Sequence, residues 1–240
     1  MRNILFYKYV AIANVNLFCK EHLKVCKSLG LKGKVLVAPE GMNGSLTGEE
    51  KEIRKYQEFL KKDPRFKEMV FKEAKVIKHG FLRMLVKPRK EIITSRFNVE
   101  PAKNNYIKPQ ELKKALDKGE EIILLDARND FEYEVGHFEK ALQLDLKQFS
   151  DTPQYLKKIQ HLKDKKIVTY CTGGVRCEKF SNYLIQNGFK NTFQLQGGII
   201  TYGQVCGDKY WQGKCFVFDR RGAIEIDPQK QKESVNHFFH

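Results

Sequence analysis

Residues 165–189, KKIVTYCTGGVRCEKFSNYLIQNGF, constrain the fold more than any other part of this chain. An apolar run ends at Tyr170, the loop Cys171-Thr-Gly-Gly-Val-Arg176 follows, and helical spacing starts at about Cys177. A short strand that is apolar throughout is buried on both faces, as in a parallel sheet with helices on either side. The loop then sits at the carboxyl end of that sheet, where open α/β folds bind ligands. Gly173 and Gly174 let the backbone curl, so that the amides of Thr172, Gly173, Gly174 and Val175 can converge on one centre. Those amides and the start of the helix stabilise negative charge on sulfur, and Arg176 adds a fixed positive charge close by. A thiol with an ordinary pKa of about 8.5 becomes largely thiolate at neutral pH in such a place. The plainer alternative is a buried cysteine beside a Gly-Gly turn, since glycine-rich strand–helix turns are common. Cys177 has two readings of its own. It resolves an oxidised Cys171 by forming a disulfide, or it is a small residue packed in the first helical turn.

The alternation of strands and helices continues on both sides of this stretch. PQELKKALDKG reads as a helix, EIILLDAR as a buried strand, DTPQYLKKIQHLKD as a helix, and TFQLQGG as a strand after Gly188 ends the cysteine helix. Residues 109–218 are therefore predicted as one α/β domain, followed by a polar C-terminal tail over 219–240 that is either docked or frayed.

The first part of the chain has a different order. Residues 4–12 read as a strand, and 14–29 as a helix capped by Asn14 or Asn16 and stopped by Gly30. GKVLVAPEG and GSLTG read as two strands across a turn at Gly41–Gly44, and GEEKEIRKYQEFLKKDPRF as an amphipathic helix. MVFKEAKVI and LRMLVKPRKEIIT complete it as β-structure. The order β-α-β-β-α-β predicts a ferredoxin-like α+β domain over residues 1–98. Residues 99–108 lack a period and carry Pro101 and the pair Asn104–Asn105, so they are predicted as a linker.

Charge divides along the same line. Residues 1–110 hold 24 Lys/Arg and 11 Asp/Glu, a net of +13, whereas residues 111–240 hold 20 and 18, a net of +2. A bias introduced only for solubility would not gather in one half, so a polyanion partner is expected. The basic residues concentrate in RFKEMVFKEAKVIKHGFLRMLVKPRK, as Arg65, Lys67, Lys72, Lys75, Lys78, Arg83, Lys87, Arg89 and Lys90. Arg83, Lys87, Arg89 and Lys90 are the candidates for phosphate contact. Phe66, Phe71 and Phe81, interleaved with them, read as core residues before base-stacking ones. A mean hydropathy of -0.53 and the absence of a long uncharged apolar run exclude a membrane span. The N-terminal MRNILFYKYVAIANV is interrupted by Lys8 and reads as mature cytoplasmic protein. The six cysteines form no Cys-x-x-Cys pair, and neither a zinc site nor a disulfide framework is expected.

Three further motifs flank the loop in a fixed order. A predicted strand ends in Asp126-x-Arg128, an acidic segment leads to Gly136-His137, and Leu195 to Ile199 read Leu-Gln-Gly-Gly-Ile. Together with Cys171 and Arg176 they resemble a rhodanese domain over roughly residues 105–215. The resemblance implies that Cys171 is catalytic and that Arg176 closes its loop. It also implies that Asp126 and Arg128 form a supporting pair and that His137 is structural. Phosphatases of that fold have a loop one residue longer, so the loop here implies a sulfur-sized centre.

A wider resemblance covers nearly the whole chain. YCTGGVRCEKF, RNDFEYEVGHFEKA, APEGMNGSLTG and WQGKCFVFD are similar to the bacterial tRNA uridine(34) hydroxylase family. That family joins an acylphosphatase-like (ferredoxin-like) N-terminal domain to a rhodanese domain. The resemblance implies conversion of the wobble uridine of tRNA to 5-hydroxyuridine, with molecular oxygen as co-substrate and the anticodon arm as partner. Longer relatives continue past Cys215–Arg221 into a cysteine-rich tail, and the residues up to His240 contain no such cluster.

No iron triad, flavin or nicotinamide fingerprint, haem motif or other metal site is visible. A nucleophile adding at C6 of uridine makes C5 an enolate carbon open to an oxidant, a role suited to an activated Cys171. Two other readings stand beside this one. The first is a sulfurtransferase working through a Cys171 persulfide, and the second a non-catalytic RNA-binding module on a rhodanese scaffold.

Overall fold

The computed structural model describes residues 1–101 and 105–231. Its contacts divide the chain into two compact units, Met1–Thr94 and Ser95–His240.

The first unit runs β1 (Arg2–Tyr9), α1 (Val15–Ser28), β2 (Lys32–Ala38), β3 (Gly41–Gly48), α2 (Glu50–Lys61), a 3-10 turn at Pro64–Phe66, β4 (Phe71–Lys75) and β5 (Met84–Pro88). The sheet order is β4-β1-β3-β2-β5, antiparallel except for β5, which lies parallel to β2. This is the ferredoxin-like arrangement with a fifth strand added at one edge. Alternate residues decide which face is covered. Ile4, Phe6, Val35, Val37, Met42 and Leu46 are buried in one core with Cys26 of α1 and Ile53, Tyr56 and Leu60 of α2. Each such side chain contributes roughly 2 kcal/mol when removed from water. The Asn14 side chain caps α1 by accepting from the Leu17 amide at 3.0 Å.

The expected turn at Gly41–Gly44 is displaced. The chain reverses at Pro39–Glu40, and both glycines lie inside β3. Gly44 pairs with Phe6, and a Cβ there would lie 2.8 Å from the Phe6 ring, so it makes room for packing and does not turn the chain.

The second unit begins earlier than predicted. Phe97 stacks on Tyr183 at 4.6 Å and meets Phe149 edge-on at 5.6 Å, and Asn182 Nδ2 donates to the Glu100 carbonyl at 2.6 Å. The segment 99–108 therefore packs as part of this unit, apart from residues 102–104, which lie outside the described residues. Its end forms a strand, β6 (Tyr106–Ile107). Then come α3 (Pro109–Asp117), β7 (Ile123–Asp126), α4 (Asp130–Val135), β8 (Gly136–Phe138), a 3-10 turn at Phe149–Asp151, α5 (Thr152–Tyr155) and a 3-10 helix at Leu156–Leu162. The chain continues through β9 (Ile167–Tyr170), α6 (Val175–Gln186), β10 (Thr192–Leu195), α7 (Gly198–Cys206), β11 (Trp211–Gly213), β12 (Cys215–Phe216) and β13 (Ala223–Ile224). β6, β10, β9 and β7 form, in that order, the expected parallel sheet.

One local feature departs from the expectation. DTPQYLKKIQHLKD is mostly 3-10 helix, because its buried residues Leu156, Ile159 and Leu162 recur every three positions and not every 3.6. The predicted tail is docked as far as it is described: β12 pairs with β13, and Ile226 is buried in the core with Tyr202. Residues 232–240 of that tail lie outside the described residues. Among the described residues no helix is long and apolar enough to cross a membrane.

Candidate active site

β9 delivers Cys171 to the carboxyl end of the parallel sheet, and α6 begins at Val175, two residues before its expected start. Arg176 is thereby in the first helical turn. The Gly174 amide donates to Cys171 Sγ at 3.1 Å, and the cysteine is completely buried. Burial alone would push its thiol up. The Cys177 thiol, the Arg176 charge and the backbone amides of Cys177 and Arg176 outweigh burial and hold Cys171 well below the ordinary thiol value. Burial pushes the other five cysteines up, Cys26 and Cys215 to about 12. Cys177 is thus packed in the first helical turn and also serves as a thiol donor to its neighbour's sulfur.

Arg176 does not aim its fork at the sulfur. Nη1 donates to Glu132 Oε2 at 2.6 Å and Nη2 to Oε1 at 2.8 Å, with a longer bond of 3.3 Å to Thr172 Oγ1. Its effect on Cys171 is that of a nearby charge. Burial alone would raise the Glu132 carboxyl, but the Arg176 charge and hydrogen bonds hold it lowered and ionised. The residue belongs to α4 and also accepts from the Asn129 amide at 3.2 Å, so one carboxylate ties the start of that helix to the cysteine loop.

The supporting pair forms as expected and is buried. Arg128 Nε and Nη2 grip Asp126 at distances from 2.7 to 3.1 Å, and Nη2 also donates to the Gly136 carbonyl at 2.6 Å. Trp211 lies under the guanidinium at 5.4 Å. His137 Nδ1 bonds the Tyr133 carbonyl at 3.0 Å while its ring stacks on Tyr133 at 3.9 Å.

The far side of the loop is closed by α7. The amides of Ile199 and Ile200 donate to the carbonyls of Cys171 and Thr172 at 3.0 and 3.1 Å. Gly198 has a positive φ of 67°, and a Cβ on it would stand 2.4 Å from the Cys171 carbonyl oxygen. Only glycine fits that approach.

Residues 1–92 match the UPF0176 acylphosphatase like domain, and residues 108–202 match the Rhodanese-like domain. The chain is 45% identical to the tRNA uridine(34) hydroxylase of Bacillus cytotoxicus over 98% of this chain and 73% of that protein. It is 45% identical to the enzyme of the same name from Bacillus licheniformis, over 98% and 74%. Identity reaches 46% with that of Onion yellows phytoplasma, over 97% and 76%. The chain belongs to the tRNA uridine(34) hydroxylase family.

In this family member the four cations singled out for RNA, Arg83, Lys87, Arg89 and Lys90, are all exposed on or beside β5. Two other cations of that stretch are engaged. Arg65 is held by Asp63, and Lys72 is buried with its ammonium over the Tyr7 ring at 5.1 Å. Phe66 and Phe71 pack in or against the core as expected, whereas Phe81 is half-buried outside that cluster. Two features of this site escaped the sequence reading. Glu132 was one acid in an acidic run, and only its place three residues after Asn129, where a capping acid sits, sets it apart. The backing by α7 was also missed, because GIITYGQVC has two glycines and four β-branched residues and gives a weak helical signal.

Proposed function

We propose that this chain converts uridine 34 of tRNA to 5-hydroxyuridine, with Cys171 as nucleophile and molecular oxygen as co-substrate. One observation carries the reading. Cys171 stands between β9 and α6 with its Sγ accepting from the Gly174 amide at 3.1 Å and the Arg176 charge close by, in a chain whose relatives at about 45% identity bear that enzyme's name. A non-catalytic module has no use for an activated thiolate.

The first unit supplies the RNA affinity, through Arg83, Lys87, Arg89 and Lys90 acting on phosphates of the anticodon arm. Addition of the thiolate at C6 would turn C5 into an enolate carbon, which on attacking molecular oxygen becomes a C5 hydroperoxide. A thiol reductant, itself oxidised to a disulfide, takes the outer oxygen to water, and loss of the C5 proton with expulsion of Cys171 from C6 restores the ring. Since Cys171 has no exposed surface, the base reaches it when Thr172 and Val175, the half-buried loop residues, give way. The site works in the cytoplasm, where tRNA is found.

The test is the purified protein with an unmodified tRNA transcript under oxygen-18 gas and a thiol reductant. The nucleoside from position 34 should gain one labelled oxygen atom, and Cys171→Ser should abolish the gain. Sulfur transfer to a small thiol acceptor, with no oxygen entering the tRNA, would favour the sulfurtransferase reading.

A further inference from the structure

The hairpin that follows β11 carries an aromatic cluster with no part in the core. β12 and β13 pair through Cys215–Ile224 and Phe216–Ala223. The turn between them is closed by Val217 N donating to the Gly222 carbonyl at 2.8 Å and Gly222 N to the Asp219 carbonyl at 3.0 Å. Phe218 stands on this turn and is 64% exposed. Its ring meets Phe216 edge-on at 5.1 Å, and Phe216 meets Phe131 edge-on, also at 5.1 Å. Phe131, on α4, is 39% exposed. Three contiguous rings that open to solvent in this way mark a contact surface.

Position and charge indicate what the surface contacts. Phe131 directly precedes Glu132, whose carboxylate holds Arg176 and the cysteine loop, so the cluster and the reactive sulfur hang on the same helix. The Lys214 amide donates to the Val135 carbonyl at 2.9 Å, which binds the base of the hairpin to the end of that helix. Arg220, two residues after Phe218, is exposed, while Lys214 pairs with Glu225 Oε1 at 3.3 Å and the Arg221 fork is aligned by Asp219 at 2.6 to 3.2 Å. Exposed rings among arginines and lysines are the chemistry of stacking on unpaired bases next to phosphates.

We propose that Phe218, backed by Phe216 and Phe131, is a stacking surface for the target pyrimidine, splayed out of the anticodon loop and offered to the cysteine loop. This rests on the function proposed above. The cost of unstacking a base from its neighbours is met in part by restacking on protein, as in other enzymes that act on extruded bases.

The test compares the affinity of the full chain for two anticodon stem-loop RNAs, one with uridine and one with an abasic site at position 34. The unaltered protein should prefer the uridine RNA by about tenfold, within the range of base–aromatic stacking. Phe218→Ala should reduce that preference below about twofold, Phe218→Tyr should retain it, and Phe218→Leu, apolar but without a π-face, should lose it. Iodoacetamide should label Cys171 at the same rate in all four proteins, since the loop is untouched. An undiminished preference in Phe218→Ala overturns the stacking role and leaves the proposed function standing. A protein-docking surface predicts that same result. If the unaltered protein binds neither RNA, the proposed function fails and this inference with it.

Discussion

Arg176 places both terminal guanidinium nitrogens on the Glu132 carboxylate, at 2.6 and 2.8 Å, in a buried pair that joins α6 to α4. The positive charge beside the thiolate is therefore balanced within the protein, and the loop is fixed from the helix across from it. Removing one partner of such a pair strands a buried charge. Glu132→Ala should accordingly cost the second unit about 3–5 kcal/mol. Urea unfolding followed through Trp211, the sole tryptophan, measures it, and a loss under about 1 kcal/mol would contradict the assigned role.

The state of Cys171 sets a pH signature. Its thiol is held below the ordinary value, so the thiolate persists through the neutral range and is lost only as pH falls through the depressed pKa. Alkylation of Cys171 by iodoacetamide should be flat from about pH 7 to 9, where an ordinary thiol with a pKa of about 8.5 would still be gaining reactivity. Cys177→Ala removes a donor to that sulfur, so the acid limb should move upward. An unperturbed cysteine profile in the native protein would count against the activated thiolate.

The sequence made the parallel sheet, the cysteine loop and the Asp126–Arg128 pair legible because each is encoded within a few adjacent residues. A strand that ends in Tyr170-Cys171 announces itself locally. So does an Asp-x-Arg whose side chains close on each other two positions apart. What stayed hidden depends on partners far along the chain. Glu132 meets Arg176 across 44 residues, and Gly198 backs onto a loop carbonyl that no spacing reveals. The 99–108 segment looked like a linker because its partners, such as the Thr192 carbonyl that accepts from Asn105 Nδ2 at 3.1 Å, are equally distant.

For the first unit, reversing charge at Arg83, Lys87, Arg89 and Lys90 together should weaken tRNA binding and flatten its salt dependence. Each phosphate that the protein no longer neutralises takes about 0.7–0.9 from the log–log slope. Affinity measured from about 50 to 200 mM salt gives that slope. An unchanged slope would place the RNA surface elsewhere. The thiol reactivity of Cys171, set by its own loop, should not respond.

Covalent addition to the base has its own trap. A tRNA with 5-fluorouridine at position 34 should leave a denaturation-stable adduct with the protein, absent in Cys171→Ala. Binding of the fluorinated tRNA without any adduct under turnover conditions would rule out bonding between sulfur and C6.

The most direct measurement is mass analysis of tRNA nucleosides from cells in which the gene for this chain has been deleted and then restored. Deletion should remove 5-hydroxyuridine and its derivatives from position 34. The unaltered gene should bring them back, and a gene encoding Cys171→Ser should not. Full 5-hydroxyuridine in the deletion strain, or restoration by Cys171→Ser, would contradict the account.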